Sequence, residues 1–175
     1  MLPCYSIILT AFLLAHASHG EQAQLSEREL QEAMEEGTEL VKEQTVEKDF
    51  VIVRSTPTYE EARRTASQAA RRLQVPLNLR RLSPHSGGLT FAKKDCEESA
   101  FDYPCYVARG RGDDGFYVSI EYSTAYAGFR PGLYIVIVAS DAKGGPISRR
   151  AVKTVRKMFS DAYIRSTGVY MGCIH

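Results

Sequence analysis

The sequence predicts an α+β domain, and three observations carry that prediction: a strand-like segment that occurs twice, a basic helix-like segment after each copy, and a clean alternation between them. "DFVIVRS" opens at Asp49 and "LYIVIVAS" opens at Leu133. Each combines an aromatic residue with a Val/Ile run and then Ser, and each runs through a Pro-containing turn into a stretch with an Arg-Arg pair. Such runs of branched residues are too short for helices and read as buried strands. Two β-α-β units follow, and neither can cover its apolar face alone. Joined, they predict a ferredoxin-like split β-α-β arrangement, one antiparallel four-stranded sheet with two helices on one face.

Taken in order, residues 1–20, "MLPCYSIILTAFLLAHASHG", carry no charged side chain and an apolar run from Ile7 to Ala15 followed by small residues, which reads as a secretory signal. The alternative is an uncleaved apolar anchor, but a bilayer span needs about 20 apolar residues. No later stretch is apolar enough to span a membrane once the signal is removed. Residues 21–48 form an acidic helical leader or linker. Ser26 and Glu29 have capping-box spacing, and Leu30, Met34 and Val41 fall near one helical face, interrupted by Gly37.

The domain proper is expected over 49–175. After the first strand, Thr58 and Glu61 make a second capping box, and Ala62, Ala66, Ala69 and Leu73 recur at helical spacing. "VPLNLRRL" then reads as a strand, with Leu77 and Leu79 on one side. In the second half, Leu133 to Ser140 is a strand, Ser148 caps a helix in which Val152, Val155 and Phe159 share a face, and "AYIRSTGVYMG" is the last strand. Between the halves lies an insertion, 83–130. In it, Phe116, Val118, Ile120 and Tyr122 alternate with Tyr117, Ser119, Glu121 and Ser123, the pattern of a half-buried strand, which predicts an inserted hairpin over 106–122 beside the main sheet.

Charge and cysteine usage narrow the function classes. The leader holds nine Glu against Arg28, Lys42 and Lys48, a balance of −6; from Asp49 onward 19 Lys and Arg face 12 Asp and Glu, a balance of +7. An exported chain meets an oxidising compartment. Cys96 and Cys105 bracket a short loop and are expected to form a disulfide, which leaves Cys173 free, paired with another chain, or exchanged for one of the two. His85 and His175 stand at no metal-ligand spacing, no nucleophile or nucleotide fingerprint occurs, and Glu121 has no nameable carboxylate partner. The expectation is therefore a non-enzymatic chain without cofactor or metal. Arg111-Gly112-Asp113 matches an adhesion tripeptide, but the Gly-rich run "RGRGDDG" suits a turn. A basic sheet with aromatics also fits RNA, against which the signal argues, so no nucleic acid is expected.

"DFVIVRSTPTYEEARRTASQAARRL", with its Glu61-Ala62 pair, and "PGLYIVIVASDAKGGPISRRAVKTVRKMF" resemble the two halves of a SPOR (sporulation-related repeat) domain. The resemblance covers residues 49–82 and 131–172. It implies a ferredoxin-like module, exported to the periplasm or secreted, that binds peptidoglycan glycan strands stripped of stem peptides. The residues expected to make the contacts, on an open sheet face, are Arg54, Ser55, Tyr117, Ser119, Arg165 and Thr167. A Tyr with Arg and Ser beside it can stack on a sugar and hydrogen-bond its hydroxyls. The other reading is an exported protein-interaction domain, an inhibitor, immunity or envelope assembly factor, with an envelope protein as partner.

Overall fold

Four strands from distant parts of the chain close into one antiparallel sheet: β1 (Thr45–Thr56), β4 (Gly115–Tyr122), β5 (Tyr134–Ala142) and β6 (Tyr163–Tyr170), in the order β4-β5-β1-β6. The computed structural model describes residues 27–172. The signal, Cys4, Ser26, Cys173 and His175 lie outside the described residues. The repeated sentence of the sequence forms the two central strands, β1 and β5, so the most apolar segments take the most enclosed positions.

Helices α2 (Tyr59–Leu73) and α4 (Pro146–Val155) cover one face. Ala62, Ala66 and Ala69 of α2 and Ala151, Val152 and Val155 of α4 pack on Val51, Val53, Val118, Ile120, Val136 and Val138. The thin alanine face lets α2 approach the sheet closely. Both helix starts differ from the sequence expectation. Thr58 stands at the N-cap of α2 without a side-chain cap bond, while Glu61 accepts from Thr56 Oγ1 at 2.6 Å. In α4 the cap is Gly145 with Pro146 inside the first turn, which suits proline because the missing N–H has no partner there. The Asp141 carboxylate accepts the Ile147 N–H at 2.7 Å, so Ser148 is buried instead of capping, and Phe159 lies beyond the helix.

Two further expectations are corrected. "VPLNLRRL" is not a strand of the sheet: Leu77 makes a single parallel bridge to Val118 at the sheet edge, Pro76 has no N–H to donate, and Arg80 and Arg81 take left-handed φ of 57° and 59°. Its predicted place is taken by β4, the strand read as an inserted hairpin over 106–122. The second small sheet is instead β2 (Ser83–His85) with β3 (Gly88–Thr90). The first strand also begins four residues before Asp49, because Thr45 to Lys48 pair with Thr167 to Tyr170 of β6. Helix α1 (Glu27–Glu43), the acidic leader, buries no residue and leaves Leu30, Met34 and Val41 exposed.

Candidate functional site

The sheet face away from α2 and α4 is where the candidate contacts were expected to lie open. It is covered. Phe50, Ile52, Ile135, Ile137 and Val169 on that face pack against Tyr126, with Ala108 and Phe129 at the margin, as a second core. Tyr126 meets Phe50 edge-on at 5.2 Å. The cover comes from two segments of the stretch between the halves, one before β4 and one after it.

The cover before β4 is tied down by the disulfide Cys96–Cys105, which joins it to the short helix α3 (Lys93–Glu98). Thr90 reinforces it, because its hydroxyl donates to the Cys105 carbonyl at 3.2 Å and accepts the Cys105 N–H at 3.2 Å. Four residues on, Arg109 enters the sheet face and is fully buried. Its guanidinium donates to Ser119 Oγ (3.0 Å), Ser140 Oγ (3.2 Å) and the carbonyls of Gly115 (3.0 Å) and Tyr117 (3.1 Å), and it lies 3.5 Å from the centre of the Tyr117 ring. Burial pulls the Arg109 pKa down, and burial pushes the Tyr117 phenol up to about 12, with Arg109 opposing and Asp113 adding to the rise.

Glu121 lies beside this cluster with no solvent exposure. Arg80 donates to its Oε2 at 2.8 Å and also pairs with Asp113 at 3.2 Å, while the Tyr106 hydroxyl bonds the same Oε2. Burial is the main reason that the Tyr106 and Tyr126 phenols sit well above their ordinary pKa, with Glu121 adding to both. For Arg80 burial pulls downward, and Glu121 with Asp113 outweigh it to give a net rise. Charges this enclosed persist only with such partners. The cluster joins the cover to the sheet.

The six candidate contacts therefore separate. Ser119 and Thr167 are corrected from surface to interior: Ser119 serves Arg109, and Thr167 donates to the Ala127 carbonyl at 2.9 Å beneath the second cover. Tyr117 is spent on Arg109 and Asp113. Arg54 is corrected to the helix side. Register shifts around Ile52 set it opposite Val136, and it pairs with Glu61 of α2. Ser55 and Arg165 do come together. They line a cleft of about 300 Å³ at one end of the sheet, with Tyr163, Phe129, Arg130 and Leu133. Ser55 Oγ lies 3.4 Å from the Tyr163 hydroxyl, and Arg165 lies 5.6 Å from the Phe129 ring while bonding the Gly128 carbonyl.

The alternation set Tyr117, Ser119, Glu121 and Ser123 apart from the apolar face of a half-buried strand; they do stand apart from Val118 and Ile120, but Ser119, Glu121 and Ser123 are buried, so the strand is enclosed on both faces there. What it missed is Arg109, Tyr126 and Phe129. The one signal was a polar strand face holding a Glu, which needs a buried cation nearby if anything covers it. A second cleft, about 540 Å³, runs below the disulfide loop between Phe101, Tyr106, Arg111 and Tyr170. Among the described residues no group of three or more His, Cys, Asp or Glu is placed to hold a metal ion. In comparisons with known proteins, no family model, no curated protein and no solved structure matches this chain.

Proposed function

We propose that this chain is an exported, non-enzymatic binding module with a divergent ferredoxin-like, SPOR-like fold, and that it takes peptidoglycan glycan strands at the end of its sheet rather than across the sheet face. The strand order and the shared helical face support the fold reading. The observation that carries the binding reading is the cleft in which Ser55, Tyr163 and Arg165 meet Phe129 and Arg130. Two rings offer stacking surfaces for a sugar, and two guanidiniums and two hydroxyls offer hydrogen bonds. The disulfide accords with export.

The test is sedimentation of residues 21–175 with purified sacculi, both intact and stripped of stem peptides by an amidase. Stripped strands should retain the protein better. Arg165→Ala and Tyr163→Ala should each weaken retention about tenfold, and Arg54→Ala should leave it unchanged. Equal loss for Arg54→Ala, or none for Arg165→Ala, would remove the cleft from the reading. A second reading is favoured by one observation: the apolar stripe of α1, Leu30, Met34 and Val41, is exposed and covered by nothing in the described chain. That suits an envelope-protein interaction module, and a stoichiometric partner lost on Met34→Glu would support it.

A further inference from the structure

The outer surface of the helical layer is strongly cationic. α2 presents Arg63, Arg64, Arg71 and Arg72 to solvent, and α4 with the turn after it presents Arg149, Arg150, Lys153, Arg156 and Lys157. Among the described residues none of these nine makes an ion pair, although ten ion pairs occur elsewhere. The carboxylates that could neutralise them are few. Glu61 is turned to Arg54 and Thr56, α4 holds no acidic residue, and Glu60 alone stands on the open side of α2.

This arrangement works against the fold. Arg149 and Lys153 stand four apart on α4, which sets like charges one above another on the helix, and Arg156 and Lys157 follow in the turn after it. Arg149 and Arg150 are the fourth and fifth residues of α4; the first turn holds no acidic residue of its own, and the Asp141 carboxylate meets it at the Ile147 N–H. Arg71, Arg72 and Lys153, in the last turns, suit the helix dipole; Arg63, Arg64, Arg149 and Arg150, past the first turns, gain nothing from it. A groove of about 550 Å³ runs along α2 between Arg63, Arg64, Ser67, Gln68 and Arg71, with Glu60 as its one acidic lining residue, and the first and last of these arginines stand about 12 Å apart along the axis.

We propose that this two-helix surface is a second binding site, on the side of the sheet opposite the cover, for a linear anionic polysaccharide. Charge complementarity selects a polyanion. The chemistry of the surface then selects among polyanions. Single-stranded nucleic acid needs exposed rings on which bases stack, and the aromatic ring that joins the two helices, Phe159, is already covered by Arg72 at 4.9 Å. A membrane surface needs a continuous apolar face to sink; the exposed positions of α2 are Arg, Glu and Gln, and the α4 segment exposes only two separated large apolar side chains, Ile147 and Met158. A polysaccharide bearing sulfate or carboxylate groups needs neither.

The experiment is retention of residues 21–175 on immobilised dextran sulfate and on neutral dextran, at graded salt. The quadruple variant Arg64→Gln, Arg71→Gln, Arg150→Gln, Lys153→Gln keeps good helix formers at exposed positions. It should lose tenfold or more in affinity and show a shallower dependence on salt, because fewer counterions are released on binding. Two controls should bind as the parent does: Lys93→Gln with Lys94→Gln, which removes cations outside this surface, and Arg165→Ala, which alters only the sheet-end cleft. Undiminished binding by the quadruple variant would overturn the proposal. So would tighter binding to a single-stranded DNA oligonucleotide or to phosphatidylglycerol vesicles than to dextran sulfate. The Arg165→Ala control separates this outcome from failure of the glycan reading.

Discussion

Arg109 sets a guanidinium, wholly out of solvent, against two serine hydroxyls, several strand carbonyls and the face of Tyr117. Replacing it with Leu would leave Ser119, Ser140 and those carbonyls without donors in an enclosed space. The expected loss is about 3–5 kcal/mol in denaturant unfolding, and Lys should not restore it, because an ammonium cannot reach the same fork of acceptors. The phenols beside it give a pH prediction. Tyr117, pushed to about 12, and Tyr106 and Tyr126, pushed well above 10, are held neutral by the fold. Their folded pKa exceeds the unfolded one, so their contribution is complete below about pH 10 and is lost as pH rises through the folded values. The phenols' contribution to stability should be constant up to about pH 9 and fall above pH 10, and ultraviolet titration should find these phenols ionising only as the chain unfolds. Ordinary ionisation of every tyrosine near pH 10 in the folded chain would contradict this.

At the scale of elements, the disulfide closes a loop with a sequence separation of nine. Its removal by Cys96→Ser with Cys105→Ser should lower stability by about 2–3 kcal/mol. It should also loosen the cover before β4 more than the helices, which hydrogen exchange at Tyr106 to Gly110 would resolve. Helix α1 should behave in the opposite way. Because it buries nothing, deleting 27–43 while keeping Thr45 and Val46 in β1 should leave the melting temperature within about 2 °C. The elements that were legible in the sequence are those that a strong period writes: the Val/Ile runs of β1 and β5, the alanine stripe of α2, and the alternation of β4. The strand assigned to "VPLNLRRL" failed because a leucine at every second position is also what a chain segment shows when it lies along a sheet edge. Pro76 and the left-handed Arg80 and Arg81 decide between the two.

For the whole molecule, a four-stranded sheet with helices on one side leaves its other face to be covered or used. Here the stretch between the halves covers it, and that closure could not be read from residues 83–130, because Arg109 looks like any other arginine in a Gly-rich run. The candidate site was legible only in part for the same reason. Ser55 and Arg165 remain at a surface because the cover ends at Phe129, whereas Ser119 and Thr167 lie beneath it. The molecule that results has a cleft of about 300 Å³ at one end of the sheet and a cationic helical layer on its opposite side. The most direct test of the cleft is NMR titration of isotope-labelled 21–175 with a peptidoglycan oligosaccharide free of stem peptides. Amide shifts gathered at Ser55, Gly128 to Arg130 and Tyr163 to Arg165 are the predicted result; shifts centred on the cover over Arg109, or no shifts at all, would contradict it.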